Sequence, residues 1–311
     1  MSWHGIYPIL YAFWGEDGRL DRAAMARQVD YCIANGAHGL AVLGLVTEVH
    51  KMDVNERLHL VEMVGDMIAG RVPYAVTVAE PSTEGQIAFA RSAAAAGADW
   101  VILQPPPVKG TSQADLIRFF GTVADAVDVD VAVQNNPVNL DVSLSADGLV
   151  ALNRAHPNIR ILKGEGWSVD IDRAIAGSDG AFAVFGGHGG IEFPALLQSG
   201  GAGLIPAPDF LPAQVAMYEM WRDGRTADAL DIHRRLLPAI VFMSRSVPGM
   251  LCYGKRLFAA QADIDIRAER APFKAPSDFG LEQVAGFAED IRTAVKTSGP
   301  HAAALSAAAQ G

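Results

Sequence analysis

The chain has 311 residues, 50% of them hydrophobic and 19% charged, with 35 acidic against 25 basic side chains and a formal net charge of −10. That balance excludes nucleic acid as an expected partner, because holding a polyanion takes clustered Lys and Arg that displace its counterions. No apolar run reaches the roughly 18 residues that span a bilayer, and the opening MSWHGIYPILYAFWGEDG lacks the basic start and small-residue cleavage site of a signal peptide. A cytoplasmic chain with no membrane partner is expected. Cys32 and Cys252 stand far apart without CxxC or Cys/His spacing, which leaves no zinc site or disulfide framework and gives both a packing role.

Taken in chain order, eight short apolar runs recur roughly every 25 to 35 residues, each followed by a polar turn and an amphipathic stretch. They are IYPILYA (6–12), HGLAVLG (38–44), PYAVTV (73–78), DWVILQ (99–104), DVAVQN (130–135), IRILKG (159–164), AFAVFG (181–186) and AGLIPA (202–207). Helices are predicted over 21–35, 53–69, 82–96, 112–127 and 145–155, each opening on an Asp or Ser suited to cap it. The first three are followed by Gly36, Gly70 and Gly97, which can adopt the left-handed conformation that stops a helix. The alternation predicts parallel strands joined by crossover helices. Eight such units in about 220 residues, with no GxGxxG after the first strand, fit a closed (β/α)8 TIM barrel better than an open doubly wound sheet.

After Gly224 the pattern is helical only, over 226–244, 249–260 and 281–297. The expected organisation is therefore a catalytic barrel over 1–224, a C-terminal helical extension of the same domain over 225–298, and a flexible tail over 299–311. Within the extension, Lys255 and Arg256 of CYGKR are read as solvated charges. Trp3, Trp14, Trp100 and Trp221 are read as core or interface residues, with Trp167 set apart by its place near the active face.

A barrel carries its chemistry at the C-terminal strand ends. The reactive side chains there are Thr47 and Glu48 after the second run, Gln104 at the fourth, Gln134, Asn135 and Asn136 at the fifth, Lys163 and Glu165 at the sixth, and His188 after the seventh. Lys163 closes the apolar segment IRIL, an unusual place for a solvated lysine. Removal from water favours the neutral amine, the form that attacks a carbonyl. Strand alternation puts Lys163 and Glu165 on one side, where the carboxylate could move protons beside an adduct on the amine. A simple Lys163–Glu165 salt bridge stays open as the alternative.

Several of these segments resemble, in order, motifs of the dihydrodipicolinate synthase and N-acetylneuraminate lyase family over almost the whole chain. GLAVLGLVTE (39–48) stands where that family carries its carboxylate-binding loop, QNNP (134–137) where it carries Y-N-x-P, and ILKG (161–164) around its Schiff-base lysine; GGAGLI (200–205) resembles its eighth-strand entry. The resemblance implies a (β/α)8 barrel with a helical extension, a class I lyase mechanism through Lys163 on a small 2-oxo acid, no cofactor, no metal, and a homotetramer.

The departures are informative. Gln134 replaces the family's proton-relaying tyrosine and cannot act as an acid or base near neutral pH. Leu45 and Val46 replace both loop hydroxyls, although Thr47 supplies one and the backbone amides remain. Asn139 stands where the synthase has an arginine, and PPP (105–107) lacks a second relay tyrosine, which argues against dihydrodipicolinate synthesis. Glutamine with Lys-x-Glu resembles one branch, the 2-keto-3-deoxy-L-arabonate dehydratases. That resemblance implies Lys163, Glu165 and Gln134 as catalytic residues. Leu45, Val46, Thr47, Asn136, Gly187 and His188 are the substrate-binding candidates. Retro-aldol cleavage to pyruvate and an aldehyde, deamination of a cyclic imino acid, and a non-catalytic barrel that binds a sugar acid are the alternatives.

Overall fold

The computed structural model describes residues 3–296; the expected tail over 299–311 lies outside the described residues. Its strands are β1 (Gly5–Ile6), β2 (Leu40–Val42), β3 (Tyr74–Val78), β4 (Trp100–Leu103), β5 (Asp130–Asn135), β6 (Ile159–Gly164), β7 (Ala183–Gly186) and β8 (Gly203–Leu204). Helices α1 (Arg22–Ala34), α2 (Val54–Ile68), α3 (Thr83–Ala95), α4 (Gln113–Ala124), α5 (Ala146–Ala155), α6 (Ser168–Gly177) and α7 (Phe193–Gln198) alternate with them. The rest is helical: α8 (Leu211–Arg222), α9 (Thr226–Met243), α10 (Val247–Gly249), α11 (Lys255–Gln261) and α12 (Asp278–Lys296).

Local chemistry sets the helix starts where the sequence predicts them. Asp21, Asp53, Ser82, Ser112 and Ser145 each accept a backbone N–H from the first turn of α1 to α5, and Asp53 forms a reciprocal capping box with Glu56. Gly36, Gly70 and Gly97 take positive φ just past α1, α2 and α3.

The chain forms two compact units. One is Pro73–Ile205 with the stretch before Gly5; the other is Gly5–Val72 with the chain from Pro206 onward. In the first, β3 to β8 pair in parallel and in sequence order. Parallel neighbours need a crossover, which α3 to α7 supply. The strands are buried almost throughout, as expected when both faces of a parallel sheet are covered. Trp100 stacks on Phe185 at 5.9 Å between ring centroids.

In the second unit, Leu10 N donates to Ala41 O at 2.8 Å and Ala41 N to Pro8 O at 2.9 Å, a parallel bridge beside β1 and β2. The run over 6–12 yields only a two-residue strand because Pro8 has no N–H for the ladder; Pro206 ends the 202–207 run in the same way. Helix α9 packs on α8 and α12. The predicted 249–260 helix is interrupted: α10 runs through a π-helical turn, Met250–Gly254, into α11.

That turn corrects the reading of Lys255 and Arg256 as solvated. Lys255 is wholly buried and paired with Glu48, and Arg256 is paired with Glu269. The extra residue of a π turn shifts which positions of the following helix face inward, and a regular 3.6 period cannot anticipate it. Cys32 and Cys252 are both buried, and burial pushes both thiols up, as suits packing residues. Trp14 and Trp100 are buried, whereas Trp167 is 64% exposed. Among the described residues no single helix is long and apolar enough to cross a membrane.

Candidate active site

In the Pro73–Ile205 unit, strand register brings together four side chains that the sequence places in two separate motifs. Gln134 on β5 lies directly beside Lys163 on β6, and Glu165 N donates to Asn135 O at 2.9 Å, so the pairing continues past the end of β6. With a period of two, Gln134, Asn136, Lys163 and Glu165 then share one face. Asn135 points the other way and exchanges two hydrogen bonds with the Leu144 backbone, at 2.8 and 3.0 Å, which fixes the loop after β5.

The four converge on one oxygen. Glu165 Oε2 accepts from Gln134 Nε2 at 2.5 Å and from Asn136 Nδ2 at 3.0 Å, and lies 3.3 Å from Lys163 Nζ. All four residues are buried. Burial alone would raise the Glu165 carboxyl, but the charges of Lys163 and His188 and the hydrogen bonds from Gln134 and Lys163 outweigh it and hold it below the ordinary glutamate value. Glu165 is therefore an anion at neutral pH. Its other oxygen, Oε1, is turned to Gly187, where an added β-carbon would come within 2.2 Å.

Two further amides order this centre. Gln104 Nε2 donates to Gln134 Oε1 at 2.9 Å, which leaves the Gln134 NH2 aimed at Glu165. The Gln104 backbone carbonyl accepts from Gln86 Nε2 at 2.8 Å. On the other side, Asn136 Oδ1 accepts from the Asn139 backbone N–H at 3.0 Å, and Asn139 Nδ2 lies 3.1 Å from His188 Nε2. His188 sits at φ 50 in the Gly187–Gly190 loop, a left-handed conformation that a non-glycine residue adopts at some cost. A cavity of about 280 Å³ is lined by Glu165, Gly187 and His188 together with Trp167, Val138 and Phe193; Lys163 and Gln134 are not in its wall.

The structure thus gathers Lys163, Glu165, Gln134, Asn136, Gly187 and His188 in one unit. Leu45, Val46 and Thr47 belong to the other, where they form a 3-10 turn ending at Glu48. The Thr47 hydroxyl is buried there and donates to Leu10 O at 2.7 Å. Gln104 was visible as a strand-end amide, but its link to Gln134 depends on register. Asn139 stands out in the sequence only by the arginine it replaces, and nothing there points to its contact with His188. Among the described residues no three His, Cys, Asp or Glu side chains gather as a metal-ligand set.

The sequence matches the model of the Dihydrodipicolinate synthetase family over residues 2–275. Among curated relatives, it is 30% identical over 239 residues to a 4-hydroxy-tetrahydrodipicolinate synthase of Acidiphilium cryptum, covering 76% of this chain and 81% of that protein. It is also 30% identical over 242 residues to an L-2-keto-3-deoxyarabonate dehydratase of Azospirillum brasilense, covering 76% and 78%. Among solved structures, YagE of Escherichia coli K12, a prophage protein of the dihydrodipicolinic acid synthase family in complex with pyruvate, matches with a TM-score of 0.86 at 25% identity, over 93% of this chain and 98% of that one.

Proposed function

The chain belongs to the dihydrodipicolinate synthetase family of class I lyases and aldolases, and from that premise we propose that it dehydrates a 2-keto-3-deoxy-pentonate such as 2-keto-3-deoxy-L-arabonate. One observation carries the reading: the Glu165 carboxyl lies 3.3 Å from the Lys163 amine, with Gln134 in the place of a tyrosine relay and hydrogen-bonded to it.

In this mechanism Lys163 attacks the C2 ketone, water is lost, and the resulting iminium withdraws electrons from C3. Glu165 removes a C3 proton. Its Oε2 is already engaged by Gln134, Asn136 and Lys163, so the proton is taken by Oε1, the oxygen turned to Gly187. The same carboxyl then protonates the departing C4 hydroxyl, which leaves as water and restores the carboxylate. The conjugated iminium then loses a C5 proton and gains one at C3, which moves the double bond to a C4–C5 enol that tautomerises to the aldehyde, and hydrolysis of the iminium frees the product and the lysine. Gln134 carries no proton in this scheme; its amide holds Glu165 in place. The iminium is the electron sink, and the scheme requires no cofactor.

His188 and Gly187 are assigned to the distal end of the substrate, beside the cavity they line. Leu45, Val46 and Thr47 are assigned to its carboxylate on the resemblance of their loop alone. We read the eight βα units as one (β/α)8 barrel with the helices after residue 224 as its extension, a reading supported by the parallel strand order and the likeness to YagE.

The test is product analysis by NMR after incubation with 2-keto-3-deoxy-L-arabonate. Accumulation of 2-oxoglutarate semialdehyde supports dehydration. Pyruvate with a two-carbon aldehyde would instead assign retro-aldol cleavage of the C3–C4 bond, and recovery of unchanged acid would remove this substrate from the account.

A further inference from the structure

The Gly5–Val72 unit, with the chain from Pro206, holds a second cavity of about 320 Å³ whose lining shares no residue with the cavity beside Glu165. Such a volume falls at the lower end of those that hold small molecules. Its charged lining includes Glu48, Lys51, Glu269 and Lys274, and its apolar lining includes Leu251 and Phe273.

The charges do not balance. Both carboxylates are already matched from behind: Lys255 Nζ lies 2.7 Å from Glu48 Oε1, and Arg256 Nη2 lies 2.8 Å from Glu269 Oε2. Lys51 Nζ approaches the second oxygen of the same Glu48 at 2.5 Å, with a side chain only 3% exposed. Two ammonium groups therefore share one carboxylate where little water screens them, a surplus of positive charge that is expensive to bury without a counterion. Lys274, an exposed residue, also stands in the wall. His50, also in the wall, adds no negative charge: burial and the neighbouring Lys51 hold its imidazole below the ordinary value, so it is neutral near pH 7. An anion is the missing counter-charge, while Leu251 and Phe273 disfavour one that is charged at both ends.

We propose that this cavity binds a small organic monocarboxylate, its carboxylate on Lys51 and Lys274 and its aliphatic or aromatic body against Leu251 and Phe273. Phe273 is 54% exposed and can cover an apolar body at the cavity edge.

The probe is benzoate, titrated by calorimetry into the Lys163→Ala protein, which removes the amine of the proposed catalytic centre; benzamide is the neutral isostere. Benzoate is expected to bind at one site per chain and about tenfold or more tighter than benzamide. Two substitutions separate the site from a folding effect. Lys51→Met removes the ammonium while Lys255 still pairs with Glu48, and Val247→Trp fills the cavity without changing charge. Each is expected to weaken benzoate about tenfold with an unchanged circular dichroism spectrum. No heat from benzoate, equal binding of benzamide, or binding that neither substitution changes would overturn the proposal. Because the host protein lacks Lys163, these results are independent of whether the catalytic reading holds.

Discussion

At the scale of single residues, the proposed chemistry depends on Glu165 and on which of its oxygens is available. Three donors crowd Oε2, which favours the ionised group, and in the proposed mechanism proton transfer therefore falls to Oε1. Glu165→Gln should lower kcat by about a hundred- to ten-thousandfold while still allowing an adduct on Lys163 with pyruvate, a split read by steady-state kinetics and trapping in parallel. Loss of both together would make Glu165 a structural partner of the lysine. Gly187 is the complementary position, since a β-carbon there would lie 2.2 Å from Glu165 Oε1. Gly187→Ala should therefore fold, with an unchanged circular dichroism spectrum, and lose about tenfold or more in kcat as the carboxylate is displaced. The lowered Glu165 carboxyl also has a pH signature. Its contribution to stability is fully present above the ordinary glutamate value and is lost as pH falls through the depressed one. Gln134→Ala removes a hydrogen bond to the ionised form, so the acid limb of the pH–rate profile should move upward in that variant.

At the scale of elements, period-two alternation made most of the site legible. Lys163 and Glu165 share a face by spacing alone, and Gln134 joins them because β5 and β6 run parallel in a register that leaves it beside Lys163. The Gln104–Gln134 bond was out of reach because register is a property of paired strands and not of either segment alone. The Asn139–His188 contact was out of reach because it joins two loops through a left-handed histidine. Lys255 differs for another reason: the π turn Met250–Gly254 shifts the inward face of α11, so a residue that looks solvated by helical spacing is buried against Glu48. That burial has an energetic consequence. Glu48 is flanked by the side chains of Lys51 and Lys255, both almost wholly covered, and the two lysines outweigh the desolvation that would otherwise raise its carboxyl. Glu48→Ala leaves two buried ammonium groups without their shared carboxylate and should cost about 3–5 kcal/mol in urea unfolding. A loss under about 1 kcal/mol would mean that water reaches the cluster freely.

At the scale of the whole molecule, the alternation of strand and helix was readable from the sequence, whereas the lengths of β1 and β8 were not. Apolar character continues through Pro8 and Pro206, but backbone donors do not. Stability should carry one anomalous acid. Burial pushes Asp209 up to about 7 from an ordinary 3.8, so what it contributes is fully present below the unfolded value and is lost as pH rises toward 7. Asp209→Asn should flatten that part of the stability curve between about pH 4 and pH 7, measured as the difference in urea midpoint from the parent protein. An unchanged slope would place Asp209 in contact with water. The central claim, however, is that this chain works through an iminium on Lys163. Borohydride reduction in the presence of pyruvate, followed by intact mass and peptide mapping, tests it most directly. The account predicts one reduced adduct per chain, on the peptide that carries Lys163, and none in Lys163→Ala. An adduct on another lysine, or no adduct with pyruvate or with 2-keto-3-deoxy sugar acids, would contradict it.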